Sequence, residues 1–321
     1  MGLYTQAWHA GKASWIDATA RARLLAHGAA MGGRGRKIFQ APLPAACGAG
    51  SFVPPTVIEI AALDELDGEV FGPILHVLRF RRDALAALVA AINGTGYGLT
   101  LGVHSRLEET VGRVGALARG GNLYVNRSMV GAVVGVQPFG GEGLSGTGPK
   151  AGGPHYLTRF TRAETPAAKP DDAATSGTEV AKALSAPWPA ATPLAENMPG
   201  PTGESNRLTM TPRAPLICLG PGRATALAQA EAIRKLGGHA VEAPGLAPDA
   251  LATLQGFSGA LWWGDAAAGR PYAQALAKRQ GPILPLIAAP DAGHTHLERH
   301  LCIDTTASGG NAQLLAAAAD A

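Results

Sequence analysis

The chain has 321 residues, a length that allows two modest domains. Its 27 basic and 24 acidic residues leave a formal net charge of +3 and form no long run of one sign, so charge indicates neither a nucleic-acid partner nor an anionic membrane. No apolar run approaches the ~20 residues that span a bilayer, and the amino terminus lacks a secretory pattern. We therefore expect no integral membrane segment, no nucleic-acid binding and a cytoplasmic location.

The first part of the chain alternates helical and strand-like patterns. Helices are predicted over residues 17–30, 83–92 and 107–117, and Asp83 is the expected N-cap of the second. Strands rich in β-branched and aromatic residues are predicted over residues 38–40, 52–60, 99–104 and 122–126. This alternation indicates the α/β class.

A different composition begins at Thr161. Pro, Ala, Thr and Gly dominate residues 161–213, which indicates a linker or an extended arm. A second, smaller α/β unit is predicted after this segment. Its predicted helix covers residues 224–236, and its predicted strands cover residues 216–219, 239–241, 260–263 and 282–287.

Three segments carry a specific pattern. They are Glu69-Val-Phe-Gly-Pro73, Tyr124-Val-Asn-Arg127 and the glycine-rich run from Val130 to Pro154. On these residues the chain resembles the aldehyde dehydrogenase superfamily, and within it the L-glutamate gamma-semialdehyde dehydrogenase module of the proline utilization A family. The resemblance runs from about Ile16 to the carboxy terminus.

The resemblance implies roles for five residues. Glu69 matches the carboxylate that binds the hydroxyl groups of the nicotinamide ribose, a task suited to a group that accepts two hydrogen bonds. Phe71 matches an aromatic residue beside the nicotinamide. Gly131 and Ala132 match a loop whose backbone N–H groups bind the substrate carboxylate, and Phe139 matches the aromatic wall beside the aldehyde chain.

The same resemblance implies an activity. The family oxidises glutamate semialdehyde, in equilibrium with 1-pyrroline-5-carboxylate, to glutamate with NAD and a cysteine thiolate. The matching cysteine, the general-base glutamate and the main NAD-binding domain would precede Met1, so we assign no catalytic residue and expect the chain alone to be inactive. FAD would belong to the missing proline dehydrogenase part. The expected protein partner is a further copy of the chain or the missing amino-terminal half.

Domain boundaries follow from composition and resemblance together. We predict the carboxy-terminal half of an aldehyde dehydrogenase catalytic domain over residues 1–160 and a linker with an oligomerisation arm over 161–213. A Rossmann-like domain is predicted over 214–300 and a lid motif over 301–321. The lid prediction depends on Cys302 to Leu315, which resembles the family's carboxy-terminal motif.

Two other functions stay open. A non-catalytic interaction protein would use the arm and the second α/β unit to bind full-length partners. A nucleotide-binding module would use Gly220-Pro-Gly222, a turn between a predicted strand and a predicted helix. This turn departs from the dinucleotide fingerprint, because Thr225 stands where the third glycine is expected.

The three cysteines are interpreted as structural. Cys47 does not match the family's catalytic motif, and Cys218 and Cys302 stand in segments typical of a buried core. His294, His296, His300 and Cys302 have a spacing that could suit zinc, but no second group of ligands accompanies them. We therefore predict no metal site.

Overall fold

The computed structural model describes residues 17–146, 148–161, 165, 168–189 and 193–306. It divides into two compact units, Met1–Thr95 and Gly96–Ala321. Both units contain strands and helices, as the predicted α/β class requires. Over the described ranges, no helix is long and apolar enough to cross a membrane.

The first unit combines helices with a three-stranded sheet. Its elements are α1 (Ala18–Gly33), β1 (Ile38–Gln40), β2 (Thr56–Ile60), β3 (Ile74–Leu78) and α2 (Leu85–Gly94), with 3-10 helices at Ala45–Ala49, Leu63–Glu65 and Arg82–Ala84. The central strand β2 pairs antiparallel with β1 and parallel with β3. Alternate residues of β2 point inward, so Ile58 and Ile60 join Leu24 and Met31 of α1 in the core.

The first two helices begin in different ways, and the N-cap predicted for the second is wrong. Asp17 caps α1, because its Oδ1 accepts a hydrogen bond from the Ala20 N–H at 2.7 Å. Asp83 is not the N-cap of α2. That helix begins at Leu85, and the Asp83 carboxylate instead accepts from the Arg81 guanidinium at 2.8 Å.

The described part of the second unit contains three sheets. Its strands are β4 (Tyr97–Gly98), β5 (Thr100–Val103), β6 (Asn122–Val125), β7 (Glu142–Gly143), β8 (Leu194–Met198), β9 (Glu204–Pro212), β10 (Leu216–Cys218), β11 (Ala240–Glu242), β12 (Gly259–Leu261), β13 (Leu286–Ile287) and β14 (His296–Asp304). Its helices are α3 (Glu108–Leu117), α4 (Gly177–Ser185), α5 (Arg223–Lys235), α6 (Ala250–Thr253), α7 (Ala266–Ala277) and α8 (Ala292–Thr295), with a 3-10 helix at Tyr156–Phe160.

The largest sheet has five strands in the order β5-β6-β14-β9-β8. β14 lies between β6, to which it is parallel, and β9, to which it is antiparallel. Glu298, His300 and Cys302 alternate along β14 and are all buried. β14 therefore brings polar side chains into the interior next to β6 and β9.

A four-stranded parallel sheet in the order β11-β10-β12-β13 forms the second α/β region. Its central strand β10 is buried on both faces, because Ile217 joins one apolar cluster while Leu216 and Cys218 join another. The pair β4 and β7 forms a small antiparallel sheet.

Several predictions along the chain need correction. The segment 161–213, predicted as a linker or an extended arm, contains α4, β8 and the whole of β9. Residues 296–304, divided between the predicted Rossmann-like domain and the predicted lid motif, form the strand β14, and the strand β3 was not predicted. Residues 307–321 of the predicted lid lie outside the described residues. The domain boundaries at residues 160, 213 and 300 stay a prediction.

Candidate functional site

Glu69 and Phe71 lie in the turn that leads into β3. The turn follows the 3-10 helix at Leu63–Glu65, and the Thr56 N–H donates to the Pro73 carbonyl oxygen at its end, at 2.9 Å. The Phe71 ring is 87% exposed, and Glu69 is also exposed. A carboxylate and an aromatic face two residues apart are therefore available to a bound molecule.

A cavity of about 370 Å³ lies beside Glu69. Its lining includes His27, Arg34 and Asp67. The Nε2 atoms of His27 and His76 are 2.9 Å apart. Burial, followed by the Arg34 charge, lowers the pKa of His27, and burial, followed by His27, lowers the pKa of His76. A neutral pair suits this contact, because one ring nitrogen must donate and the other accept.

Gly131 and Ala132 lie in the segment 127–139 that follows β6, here called the glycine loop. Gly131 has a φ of +82°, a conformation that L side chains rarely adopt. The middle of the loop is open to solvent, since Val134 is 89% exposed. The binding of an anion by backbone N–H groups at this tip stays a prediction.

Both ends of the glycine loop bond to one carboxylate. Arg127 Nη1 donates to Glu204 Oε1 at 2.6 Å, and Gln137 Nε2 donates to Glu204 Oε2 at 3.0 Å. Gln137 Oε1 accepts from the Val133 N–H at 3.0 Å. The Cys302 Sγ lies 3.2 Å from Arg127 Nη1 and 3.4 Å from Gln137 Nε2. The loop is thus connected through side chains to β9 and β14.

Phe139 is held by a neighbouring polar cluster. Its backbone exchanges two hydrogen bonds with Ala151, at 3.0 and 2.8 Å. Asn122 Nδ2 donates to the Pro138 carbonyl oxygen at 2.8 Å, and its Oδ1 accepts from Lys150 Nζ at 2.8 Å. These contacts fix the backbone of the half-buried Phe139 on both sides.

Burial controls the protonation of this cluster. It lowers the pKa of Lys150 to about 8, although Glu298 and Glu142 oppose the shift. It also lowers the pKa of His300 to about 4, with the charges of Lys150 and Arg127 acting in the same direction. His300 is therefore neutral at pH 7.

The two buried cysteines are poor nucleophiles. Burial raises the pKa of Cys218 to about 12, and it raises the pKa of Cys302 despite the nearby Arg127. The placement of both in the core is confirmed, but Cys302 contacts polar groups rather than apolar ones alone. Cys47 is half-buried in the 3-10 helix at Ala45–Ala49, and its structural role stays a prediction.

The turn Gly220-Pro-Gly222 lies at the start of α5, where a nucleotide phosphate would bind. The N–H of Arg223 donates instead to Asp171 Oδ2 at 2.8 Å. No Cβ would fit at Gly222 beside the Lys169 carbonyl group. The chain's own segment therefore occupies the helix start, which disfavours a nucleotide at this position.

The histidines near β14 have separate partners. His294 Nδ1 lies 2.8 Å from Asp291 Oδ1, and His296 Nδ1 lies 2.9 Å from Thr295 Oγ1. Within the part of the chain that the structure describes, no three His, Cys, Asp or Glu side chains are grouped to hold a metal ion.

The predicted residues fall into two groups that we describe separately. Glu69 and Phe71 belong to the first unit, and Gly131, Ala132 and Phe139 belong to the second. Sequence reasoning missed the supporting side chains of the second group, which are Asn122, Arg127, Gln137, Lys150 and Glu204. A usable signal was a charged or amide side chain among apolar or glycine neighbours, as at Gln137 and Lys150.

Comparison with known proteins gives three findings. The aldehyde dehydrogenase family profile matches residues 14–165. The bifunctional protein PutA of Salmonella typhimurium is 38% identical, over 94% of this chain and 27% of that protein. A 1-pyrroline-5-carboxylate dehydrogenase of Bacillus thuringiensis is 42% identical, over 36% of this chain and 22% of that enzyme.

One solved structure shows the same fold over most of the chain. Proline utilization A from Corynebacterium freiburgense aligns with a TM-score of 0.55 and 22% identity, over 84% of this chain and 29% of that one. The chain spans little more than a quarter of the length of the PutA relatives that it matches.

Proposed function

We propose that the chain supplies cofactor- and substrate-binding parts of an L-glutamate gamma-semialdehyde dehydrogenase, because residues 14–165 match the aldehyde dehydrogenase family profile. Such an enzyme oxidises the semialdehyde to glutamate, and the named activity of the Bacillus thuringiensis relative supports this substrate. The observation that carries the proposal is the glycine loop, whose tip is exposed while both of its ends bond to Glu204.

The glycine loop would bind the carboxylate of the substrate. Gly131 presents backbone without a side chain, and Ala132 adds only a methyl group, so an anion can approach the N–H groups closely. Phe139 would border the aldehyde chain, because the bonds to Ala151 and the contacts of Pro138 fix its backbone. The loop would thereby select an aldehyde that carries a carboxylate.

Glu69 and Phe71 would hold the nicotinamide riboside of NAD. Aldehyde dehydrogenases use NAD or NADP, and of these we propose NAD, which would accept the hydride of the aldehyde. The exposed Glu69 carboxylate can accept hydrogen bonds from adjacent ribose hydroxyls, and the exposed Phe71 ring offers a flat apolar face. The proposal assigns no nucleophile to this chain. The proposal also assigns no metal to this chain. FAD would belong to a proline dehydrogenase part.

The test is NAD reduction with glutamate semialdehyde, by the chain alone and by the chain mixed with an amino-terminal dehydrogenase segment. We expect activity in the mixture only. Association without activity would favour a non-catalytic interaction protein, and activity in the chain alone would overturn the structural interpretation of Cys47.

Glu69→Gln tests the cofactor role within the active mixture. We expect the KM for NAD to rise about tenfold, because an amide accepts hydroxyl hydrogen bonds less strongly than a carboxylate does. Asp64→Asn is the matched control, since Asp64 is an exposed acidic residue five positions away. Equal effects of the two substitutions would contradict the assignment of Glu69.

A further inference from the structure

Glu204 binds the glycine loop without lying in it. We infer that Glu204 is a positioning residue that sets the loop conformation for substrate binding. This inference rests on the proposed function, because it assigns a role within the proposed substrate site. It concerns selectivity for the substrate carboxylate, and it adds β9 to the elements that determine that selectivity.

Each oxygen of the Glu204 carboxylate accepts a hydrogen bond from a different end of the loop. Oε1 accepts from Arg127, the first loop residue, and Oε2 accepts from Gln137, near the last. The Arg127 and Glu204 side chains are only 17% and 19% exposed, so water screens their attraction weakly. One carboxylate therefore fixes the span of a loop whose tip is free in solvent.

Gln137 also bonds to the backbone near the loop tip. Its side chain is 1% exposed, and its Oε1 accepts from the Val133 N–H at 3.0 Å. Val133 directly follows Ala132, whose backbone belongs to the proposed carboxylate site. A continuous series of hydrogen bonds thus joins Glu204 to the residue next to that site.

The sheet holds Glu204 in place. Glu204 is the first residue of β9 and pairs with Asp304 of β14. Asn206 Nδ2 lies 3.4 Å from Glu204 Oε2, and β14 in turn pairs with β6, the strand that precedes the loop. The loop is therefore fixed relative to the strand from which it starts.

The two bonds from Glu204 to Arg127 and Gln137 are here called the clamp. Hydrogen exchange of the full chain tests it directly. In Glu204→Gln the new amide replaces one acceptor oxygen by a donor, so Arg127 and Gln137 cannot both keep their bonds. We expect the hydrogen-bonded loop amides of Val130, Val133, Val136 and Gln137 to exchange about tenfold faster, while the amides of β9 and β14 exchange as in the wild type. Glu196→Gln on the neighbouring strand β8 is the matched control, because Glu196 is exposed. Unchanged loop exchange, or equal loosening of the whole sheet, would overturn the inference.

Gln137→Met tests the Gln137 end of the loop separately from the Arg127 end. It keeps the length of the side chain but removes its bonds to Glu204 and Val133, while the Arg127–Glu204 pair stays intact. We expect faster exchange at the amides of Val133, Val136 and Gln137 and wild-type exchange at the amide of Val130. General destabilisation would not produce this division, so uniform acceleration along the loop would refute the clamp.

Kinetics of the mixture with the amino-terminal segment test the consequence for substrate binding. For Glu204→Gln we expect the KM for glutamate semialdehyde to rise about tenfold with kcat nearly unchanged, and the KM for propanal, which has no carboxylate, to stay the same. Equal effects on the two aldehydes would overturn the positioning role. An inactive wild-type mixture would refute the proposed function instead, and the exchange measurements would still decide the role of Glu204.

Discussion

Lys150 is a buried, ionisable side chain in the second unit, and burial disfavours its protonated, charged form. Its side chain is 2% exposed, and its pKa is lowered to about 8 from 10.5. Between these two pH values the unfolded chain holds a proton that the folded chain has released. The free energy of unfolding therefore rises with pH in this range. As the pH falls toward 8, protonation of Lys150 in the unfolded chain lowers the free energy of unfolding.

Comparison with Lys150→Met isolates this contribution, because methionine has similar length and does not titrate. We expect the free energy of unfolding of the wild type, relative to the variant, to rise by roughly 1 kcal/mol for each pH unit between pH 8 and pH 10. Urea unfolding of both proteins at pH 8, 9 and 10 measures the difference. A difference that is independent of pH would show that Lys150 stays protonated in the folded chain.

At the residue scale, sequence could identify single residues but not their partners. Glu69, Gly131 and Phe139 stand in recognisable segments, although their roles stay proposals. The contact between Arg127 and Glu204 spans 77 positions and exists only because β14 places β9 near β6. No local pattern encodes that pairing, so the clamp was visible only in the folded chain.

At the scale of single elements, α4 shows a usable signal that was overlooked. Ser176 and Glu179 form a capping box, in which the Ser176 Oγ accepts from the Glu179 N–H at 3.2 Å and Glu179 Oε2 accepts from the Ser176 N–H at 2.9 Å. The Ser-x-x-Glu spacing predicts this helix start. The surrounding proline-rich composition led instead to the prediction of a linker.

Ser176→Ala should weaken α4. We expect the free energy of unfolding to fall by about 1 kcal/mol, because the Glu179 N–H loses its side-chain acceptor. Urea unfolding at neutral pH measures the loss. Thr178→Ala, at an exposed position in the same turn, should change stability by less than about 0.5 kcal/mol. Similar losses in the two variants would contradict the capping role.

The strands differ in how far sequence predicts them. β6 and β10 are buried on both faces and were predicted correctly, because continuous burial leaves a mostly apolar run. β14 alternates Glu298, His300 and Cys302 on its buried face, so its pattern is that of a polar segment. Glu298 and Cys302 contact polar groups of loops, and a hydrophobic period cannot reveal a strand of this kind.

At the scale of the whole molecule, the first unit has a small core and an exposed edge strand. Its buried cluster holds six side chains from α1, β2, β3 and the segment before β2, namely Leu24, Met31, Val53, Ile58, Ile60 and Ile74. β1 lies at the edge of the sheet, and all three of its residues are exposed. Over the described residues no strand pairs with the outer side of β1, and apolar side chains on such an edge favour pairing with another chain. We therefore expect the isolated chain to self-associate.

Phe39 is the residue of β1 that should dominate this association, since its ring is 66% exposed. Phe39→Lys places a charge on the edge, which opposes strand pairing between copies. We expect the weight-average sedimentation coefficient of the wild type to rise with micromolar concentration and that of the variant to rise much less. Phe80→Lys is the control, because Phe80 is 51% exposed in the same unit but lies outside the strands. A wild-type coefficient that is independent of concentration would refute the expected self-association. An equal reduction in both variants would instead assign it to exposed apolar area in general rather than to β1.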